Sequence, residues 1–598
     1  MKIRALFCVG LLGVAATSFA QTPKNIYLQT PLVASVPGLA PITDPNLLDP
    51  WGISFSATSP FWTSNHLSGT STLYNGSGVI TPTVVTIPAG SASGKVPGRP
   101  TGQVQNFTAN FLLPGSTKAS FIFSTEDGTI SAWNGGTVAI VLVDNSPQSA
   151  VYKGLGIGTS ALGSTLYAPN FRSGNIDVFD GSFKPATVAG GFKDPGIPAG
   201  YAPFNIWTVN GSLYVAYAQQ DANKFFEVVG AGLGYVSQFD FDGNLKSHLI
   251  SGGALNAPWG LAMAPANWGA FGGALLVGNF GDGRINAFDP KSGTLLGTLQ
   301  DPNGNPLQIS GLWAIAFGNG GRGGDVNTLY YQAGNVSPKP GVTAVTPRGI
   351  LGSIAPPAAI TSVLNAASFQ GGTVAPGEIV TIIGQTVGVT PSVATVIPTS
   401  GFLPTSLLEP GTPYTTSVTV NGIAAPILYA NGNQTSIQVP YTVGSSGTAS
   451  FVVTTAGQST LAFPVPIAPT APGLFTSDTS GKGQIVVLNQ DGSVNTAKNP
   501  AAKGSYVILY MTGEGALNPA SFSGIIETGF VRVPLSSVST TIGGTTAPAV
   551  FAGSLPGSIS GVLLVEVIVP SGAPSGAVPV TVTAGGATSP AGTTISVQ

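Results

Sequence analysis

Two histidines, His66 and His248, and a single cysteine, Cys8, are all that this sequence offers in imidazole and thiol chemistry. A three-histidine metal site is excluded by count, and a His/Cys zinc cage cannot be built from this set. A Ser-His-acid triad would have to use one of the two histidines. His248 lies in Lys246-Ser247-His248-Leu249-Ile250, which reads as an outer strand with the ring at the surface. No Gly-x-Ser-x-Gly elbow stands between a strand and a helix, and no helix of useful length is evident. Asp240-Phe241-Asp242-Gly243-Asn244 opens like a calcium loop but lacks the bidentate Glu further on, so it reads as a turn between strands. The Gly-rich run Gly318 to Gly324 has no following helix to aim its amides at a phosphate.

One set of residues remains: Trp51, Phe204, Trp259 and Trp313, with Asn65, His66, Glu126, Asp127, Asn170, Arg172, Asn279 and Asp282. Aromatic planes beside amides and carboxylates suit a sugar or a short peptide, because rings stack while polar groups satisfy hydroxyls or amides. The alternative is that the rings pack between neighbouring structural repeats and the Asn side chains cap their own turns. Either way, residues spread over more than 260 positions must be brought to one place.

A repeat does this. Pro50-Trp51-Gly52-Ile53, Thr101-Gly102-Gln103-Val104, Leu155-Gly156-Ile157, Phe204-Asn205-Ile206, Trp259-Gly260-Leu261 and Trp313-Ala314-Ile315 recur at intervals of 49 to 55 residues, the length of one four-stranded propeller blade. A second strand follows, as in Phe61 to Asn65, Leu166 to Asn170 and Leu275 to Asn279, and then a third ending in an aromatic and an Asx, as in Tyr74-Asn75 and Phe288-Asp289. In such a blade, the loop leading into the first strand and the turn after the second emerge on the same face, around the mouth of the central channel. The sixth repeat lacks an outer strand, and the segment Asn25 to Ala34 has no partner of its own. It is expected to complete the sixth blade and latch it to the first, since an open ring would leave sheet edges exposed.

After Ala355-Pro356-Pro357 the composition shifts to 11 charged side chains and no histidine from Ala358 to Gln598. Short alternating strands such as Ser417-Val418-Thr419-Val420, separated by Gly, Pro and Asn, read as β-sandwich. The expected architecture is all-β: a signal segment over 1–20, a six-bladed β-propeller over 21–356, and two immunoglobulin-like β-sandwich domains over 357–469 and 470–598. Without histidine, the sandwiches are expected to be indifferent to pH between about 5 and 8.

Met1-Lys2-Ile3-Arg4, an apolar run to about Ala16 and Ser18-Phe19-Ala20 have the form of a cleaved secretory signal, with Cys8 inside it and away from the cleavage point. Secretion to an extracellular or periplasmic location is the expectation, with no later run long enough for a membrane helix. Charged residues are 7% of the chain, where roughly 25% is usual, and the formal net charge is −2. This gives no basic footprint for nucleic acid.

Residues 25–354 resemble a family of exported bacterial propellers of unassigned activity. The resemblance rests on Ala40-Pro41-Ile42-Thr43-Asp44-Pro45-Asn46 leading into Pro50-Trp51-Gly52, on Ser71-Thr72-Leu73-Tyr74-Asn75-Gly76, and on Gly278-Asn279-Phe280-Gly281-Asp282-Gly283-Arg284-Ile285. Those blades are similar to NHL repeats, though only Arg284-Ile285 keeps the Arg-Ile pair of that repeat. Residues 361–598 resemble a C-terminal domain common in secreted acidobacterial proteins, through Asn365-Ala366-Ala367-Ser368-Phe369, Ala375-Pro376-Gly377-Glu378, Asn499-Pro500-Ala501-Ala502-Lys503-Gly504 and Thr512-Gly513-Glu514-Gly515. Neither resemblance implies a reaction.

The functional expectation is a non-catalytic exported binding or adhesion protein without a cofactor. Its recognition face would be the channel mouth, its ligand a carbohydrate or a peptide or protein, and the sandwiches a spacer or attachment module. The alternative is a propeller enzyme, a lactonase-like hydrolase or a lyase, holding a divalent cation such as calcium near the channel through Glu126 or Asp127 and the Asn ring.

Overall fold

Short runs rich in Val, Ile, Thr and aromatics, broken every few residues by Gly, Asn or Asp, favour strands joined by tight turns. The structure, a computed structural model, describes residues 25–94, 97–266, 268–334, 348–389, 392–409 and 415–598. It divides into two compact units between Pro356 and Pro357. The signal-like segment 1–20 lies outside the described residues.

Among the described residues the first unit has six sheets built on one plan of four antiparallel strands, five of them with strands of consecutive sequence side by side. The first is Pro50–Ser54, Phe61–Asn65, Thr70–Tyr74 and Ile80–Thr86. The last takes Leu312–Phe317, Leu329–Gly334 and Gly349–Ala355 from the end of the unit, and its outer strand, Leu28–Ala34, from the beginning. Leu28 pairs with Ala355 and Ala34 with Ile350, with a register shift between Pro31 and Val33. The N-terminal strand thus closes the ring by hydrogen bonds that no other segment makes. The calcium-loop lookalike is a turn, in which the Asp240 carboxylate accepts the N–H groups of Asp242 and Asn244 and Gly243 takes φ 75°.

Contacts between innermost strands explain why the repeat register carries small residues. A Cβ at Gly52 would lie 2.4 Å from Thr101 O, one at Gly102 would lie 2.2 Å from Leu155 N, and one at Gly260 would lie 2.6 Å from Trp313 O. Asn205 fills the equivalent place by donating to Trp259 O at 2.8 Å. Between the last sheet and the first, the Gln332 amide donates to the carbonyls of Trp51 and Gly52 at 3.1 and 3.0 Å in the orientation its network requires. These links run from each blade to the next and back to the first, so this is a propeller with its blades nearly touching, backbone to backbone, at the axis. Gly102→Ala is therefore expected to cost at least about 1–3 kcal/mol by overpacking against backbone that cannot give way. Denaturant unfolding of the full chain measures this, and an unchanged midpoint would contradict the close approach.

In the second unit two pairs of facing sheets each enclose their own core. Val380, Ile382, Val418, Val420, Ile437, Phe451 and Val453 belong to the first, and Val507, Leu509, Val565, Val567, Val580, Val582 and Ile595 to the second. The strand Thr415–Val420 alternates exposed or half-buried with buried residues, as a sheet wetted on one side must. The two sandwiches share an apolar seam that includes Ile379, Leu403, Tyr510, Ile526 and Ile559. Across it Ile379 N–H donates to Thr512 Oγ1 at 2.9 Å and Leu403 N–H to Gly524 O at 2.8 Å. Beside this seam lie two buried carboxyls. Glu378 accepts from Asn365 Nδ2 and Ala375 N–H, while neither oxygen of Glu514 has a hydrogen-bond partner. Burial pushes each up to about 8, against smaller opposing effects from nearby N–H groups. The expectation of pH indifference considered only histidine, and burial of these two carboxyls argues against it.

Candidate functional site

Successive strands of a blade run antiparallel, so the residue entering the first strand and the residue leaving the second lie at the same end. Asp49 precedes Pro50–Ser54, His66 follows Phe61–Asn65, Glu126 follows Phe121–Thr125, and Lys153 stands shortly before Gly156–Ser160. Glu227 comes from the short strand Glu227–Val228, which pairs with Ser212–Gln220 of the fourth blade. These five side chains form one buried chain of charge. His66 Nδ1 lies 3.1 Å from Asp49 Oδ2 and Nε2 lies 2.8 Å from Glu126 Oε2. Lys153 Nζ lies 2.5 Å from Glu126 Oε1 and 3.6 Å from Glu227 Oε2.

With a carboxylate on each ring nitrogen, His66 is an imidazolium that donates twice. Burial opposes its charge, but Glu126 and Asp49 outweigh that and raise it to about 9. Glu126 is likewise disfavoured as an anion by burial, yet Lys153 and His66 hold it well below the ordinary carboxylate range. Lys153 stays above its ordinary value for the same reason, through Glu126 and Glu227, despite burial. Glu227 is raised, because desolvation outweighs what Lys153 and its own backbone N–H offset. His66 and Lys153 are thus held as cations and Glu126 between them as an anion, a fixed alternation of charge beneath the channel mouth.

The aromatic residues singled out from the sequence do converge here, as a packed plug. Trp51 and Trp313 stack with centroids 3.6 Å apart, and Trp259 meets both edge-on at 6.4 and 5.8 Å. Phe204 lies 6.1 Å from Trp313. All four are buried, Trp259 with 1% of its surface exposed. Their polar edges are engaged: Trp51 and Trp313 Nε1 donate to the two oxygens of Asp49 at 3.0 and 3.2 Å, and Trp259 Nε1 donates to Lys153 O at 3.0 Å.

The Asn ring is present too, with its amides directed at its own turns. Asn65 Nδ2 donates to the hydroxyls of Thr70 and Thr72, Asn170 Nδ2 to Asp177, and Asn279 Nδ2 to Ala254 O and Asp282. Of the groups named for a cation in the alternative, the carboxylates are engaged within the fold, while Asn65 Oδ1 and Asn279 Oδ1 have no hydrogen-bond partner among the described residues. Both oxygens of Glu126 are held by His66 and Lys153, and Asp127 accepts Arg99 N–H at 2.6 Å. Among the described residues no group of three His, Cys, Asp or Glu side chains is placed to hold a metal.

Three groups at this end stand out, two for a buried atom without a hydrogen bond and one for an exposed ring. Arg172 is half-buried, its Nε makes no hydrogen bond, and its guanidinium carbon lies 5.7 Å from the Phe225 ring centroid. Phe226, edge-on to Phe225 at 4.8 Å, is 58% exposed. Glu227 Oε2 lacks a hydrogen bond. Lys153 Nζ, 5.4 and 5.7 Å from the Phe225 and Phe226 rings, ties this niche to the buried charges beneath. Asp49, Lys153, Phe225, Phe226 and Glu227 were not singled out from the sequence. A signal existed for Lys153, a lone cation in the run Ala150-Val151-Tyr152-Lys153-Gly154-Leu155 of a charge-poor chain.

No family model matches the chain. Among solved structures it is similar to a streptogramin B lyase, with 12% identity over 55% of this chain and 96% of that chain and a TM-score of 0.30. It is also similar to a calcium-binding regucalcin of Agrobacterium tumefaciens, with 11% identity over 51% and 89% and a TM-score of 0.30. The uncharacterised protein R648 of Acanthamoeba polyphaga mimivirus is 35% identical over 300 residues, 48% of this chain and 72% of that protein. The uncharacterised protein L690 of the same virus is 33% identical over 291 residues, 46% of this chain and 75% of that protein. With more than two thirds of each of those proteins covered, the chain belongs to the family of the mimivirus proteins R648 and L690.

Proposed function

We propose that this is an exported binding protein whose recognition site is the niche over the buried charge run, and that its ligand is an acidic carbohydrate. The observation that carries this is Arg172, which has no ion-pair or hydrogen-bond partner for its side chain among the described residues and lies against the half-buried Phe225 ring, itself edge-on to the exposed Phe226. A carboxylate on a sugar ring would pair with the guanidinium. Phe226 offers a stacking face for the ring. The signal-like form of residues 1–20 and the likeness of residues 361–598 to a domain of secreted proteins support export. The sandwiches then act as a spacer or attachment module.

Uronate-containing and neutral oligosaccharides, offered side by side to the full-length protein at low and moderate salt, test the ligand class. Binding confined to the acidic set and weakened by salt is expected. Phe226→Ala is expected to cost about 2 kcal/mol of affinity, roughly thirtyfold, as a stacking anchor of this kind does. Equal binding of neutral sugars would contradict the role of Arg172, and binding indifferent to Phe226→Ala would contradict the niche.

A further inference from the structure

The second histidine sits in an arrangement that none of this uses. We propose that Asp194, His248 and Ser251, on the outer edge of the fourth blade, form a serine nucleophile relay able to hydrolyse carboxylic esters. His248 Nδ1 lies 2.8 Å from Asp194 Oδ2, and His248 Nε2 lies 2.7 Å from Ser251 Oγ. The carboxylate is held in place by further donors, Ser237 Oγ–H to Oδ2 at 2.5 Å and Gly196 N–H to Oδ1 at 2.8 Å. An acceptor on Nδ1 fixes the tautomer with the proton there, so Nε2 presents its lone pair to the Ser251 hydroxyl. Asp194 is the positioning residue, buried on its side chain, while the His248 side chain is 28% exposed and Ser251 is exposed.

This alignment depends on a bulge. The outer strand Leu245–Ser251 pairs His248 with Ser237 but Ile250 with Val236, so Leu249 is an extra residue in the ladder. In a regular strand, residues three apart point to opposite faces. The inserted residue returns Ser251 to the face of His248 while Leu249 and Ile250 stay buried. Close packing adds to the fixed geometry: a Cβ at Gly196 would lie 2.6 Å from His248 Nδ1, so only glycine lets that loop seat against the ring. After Ser251 come Gly252 and Gly253, both left-handed at φ 54° and 59°. The N–H groups of Gly253 and Ala254, two and three residues beyond Ser251, make no hydrogen bond among the described residues and would supply the oxyanion donors.

The chemistry balances without a co-reactant other than water. Ser251 Oγ attacks the ester carbonyl carbon as His248 Nε2 takes its proton. The carbon–oxygen bond to the alcohol breaks, and the proton passes from Nε2 to the departing oxygen. Water then attacks the acyl group, its proton passing through His248 to Ser251 Oγ, and the acid leaves. An outer-edge site with an exposed nucleophile favours small or extended esters over a ligand that must be engulfed.

The test is labelling of the full-length protein with diisopropyl fluorophosphate, followed by peptide mapping, with turnover of p-nitrophenyl acetate as a second readout. One adduct on Ser251 is expected. Ser251→Ala should abolish it, and His248→Gln and Asp194→Asn should slow it at least about a hundredfold, as loss of a general base or of its alignment does. Tryptophan fluorescence melting checks that each variant is folded, and the wild-type adduct map needs no variant at all. Absence of an adduct at Ser251 in the folded wild-type protein, or an adduct formed as fast in a folded His248→Gln protein, would overturn the proposal.

Discussion

Lys153→Met is expected to destabilise the propeller by about 3–5 kcal/mol while leaving the sandwiches untouched, because it keeps the volume of the side chain and removes one charge from a buried run. Glu126 would keep His66 as its only counter-charge, and Glu227 would have none. The lysine stem also passes among five aromatic rings, with Nζ between 5.1 and 5.9 Å of their centroids, so the loss includes several cation–π contacts. All seven tryptophans lie between residues 51 and 313, so tryptophan fluorescence reports the propeller alone. Adding Glu126→Gln should recover part of the loss, since an unpaired buried carboxylate costs more than a neutral amide in its place. A fluorescence midpoint in Lys153→Met equal to wild type would mean that the run is wetter and weaker than its geometry implies.

The sandwiches should lose stability as pH rises from about 5 to 8. Glu378 and Glu514 are each raised to about 8 when folded, against an ordinary value of 4.5. Between those values the folded state holds protons that the unfolded chain has released, so the slope of stability against pH is negative. The contribution is fully present below 4.5, falls by up to about 1.4 kcal/mol per pH unit for each group, and is lost once pH passes the folded value. The unit carries no tryptophan, so its calorimetric transition is the one silent in tryptophan fluorescence. Glu514→Gln should flatten the decline, because an amide of the same shape needs no proton to remain neutral. A sandwich transition unmoved between pH 5 and 8 would contradict burial of these carboxyls.

The architecture was legible because its causes are local and repeated. Small residues recur where innermost strands abut, as the contacts of Gly52, Gly102 and Gly260 show, and an unpartnered segment facing a three-stranded repeat implied the latch. The convergence of Trp51, Trp259 and Trp313 was legible for the same reason. That they pack as core was one of two readings the sequence left open, and the choice depends on how narrow the channel becomes when rings from three blades meet across it. Lys153 and Asp49 were hidden because a buried ion pair is defined by its partner, and their partners lie in other blades. His248 was correctly placed on an outer strand, yet its relation to Ser251 rests on one bulged residue and its relation to Asp194 on a loop 54 positions away. In the sandwiches the absence of histidine was plain, but burial of Glu514 arises from tertiary packing that no local pattern shows.

The central claim is that the tryptophan plug is core and that Arg172, above it, makes the recognition contact. The most direct test measures unfolding and acidic-oligosaccharide affinity on the same two full-length variants. Trp259→Ala should lower the propeller midpoint by an amount equivalent to about 3–5 kcal/mol, as a cavity of that size does, while the folded fraction binds with native affinity. Arg172→Ala should melt like wild type and bind roughly thirtyfold more weakly. If Trp259→Ala melts normally and loses affinity, and Arg172→Ala keeps it, the plug is the site and the account is wrong.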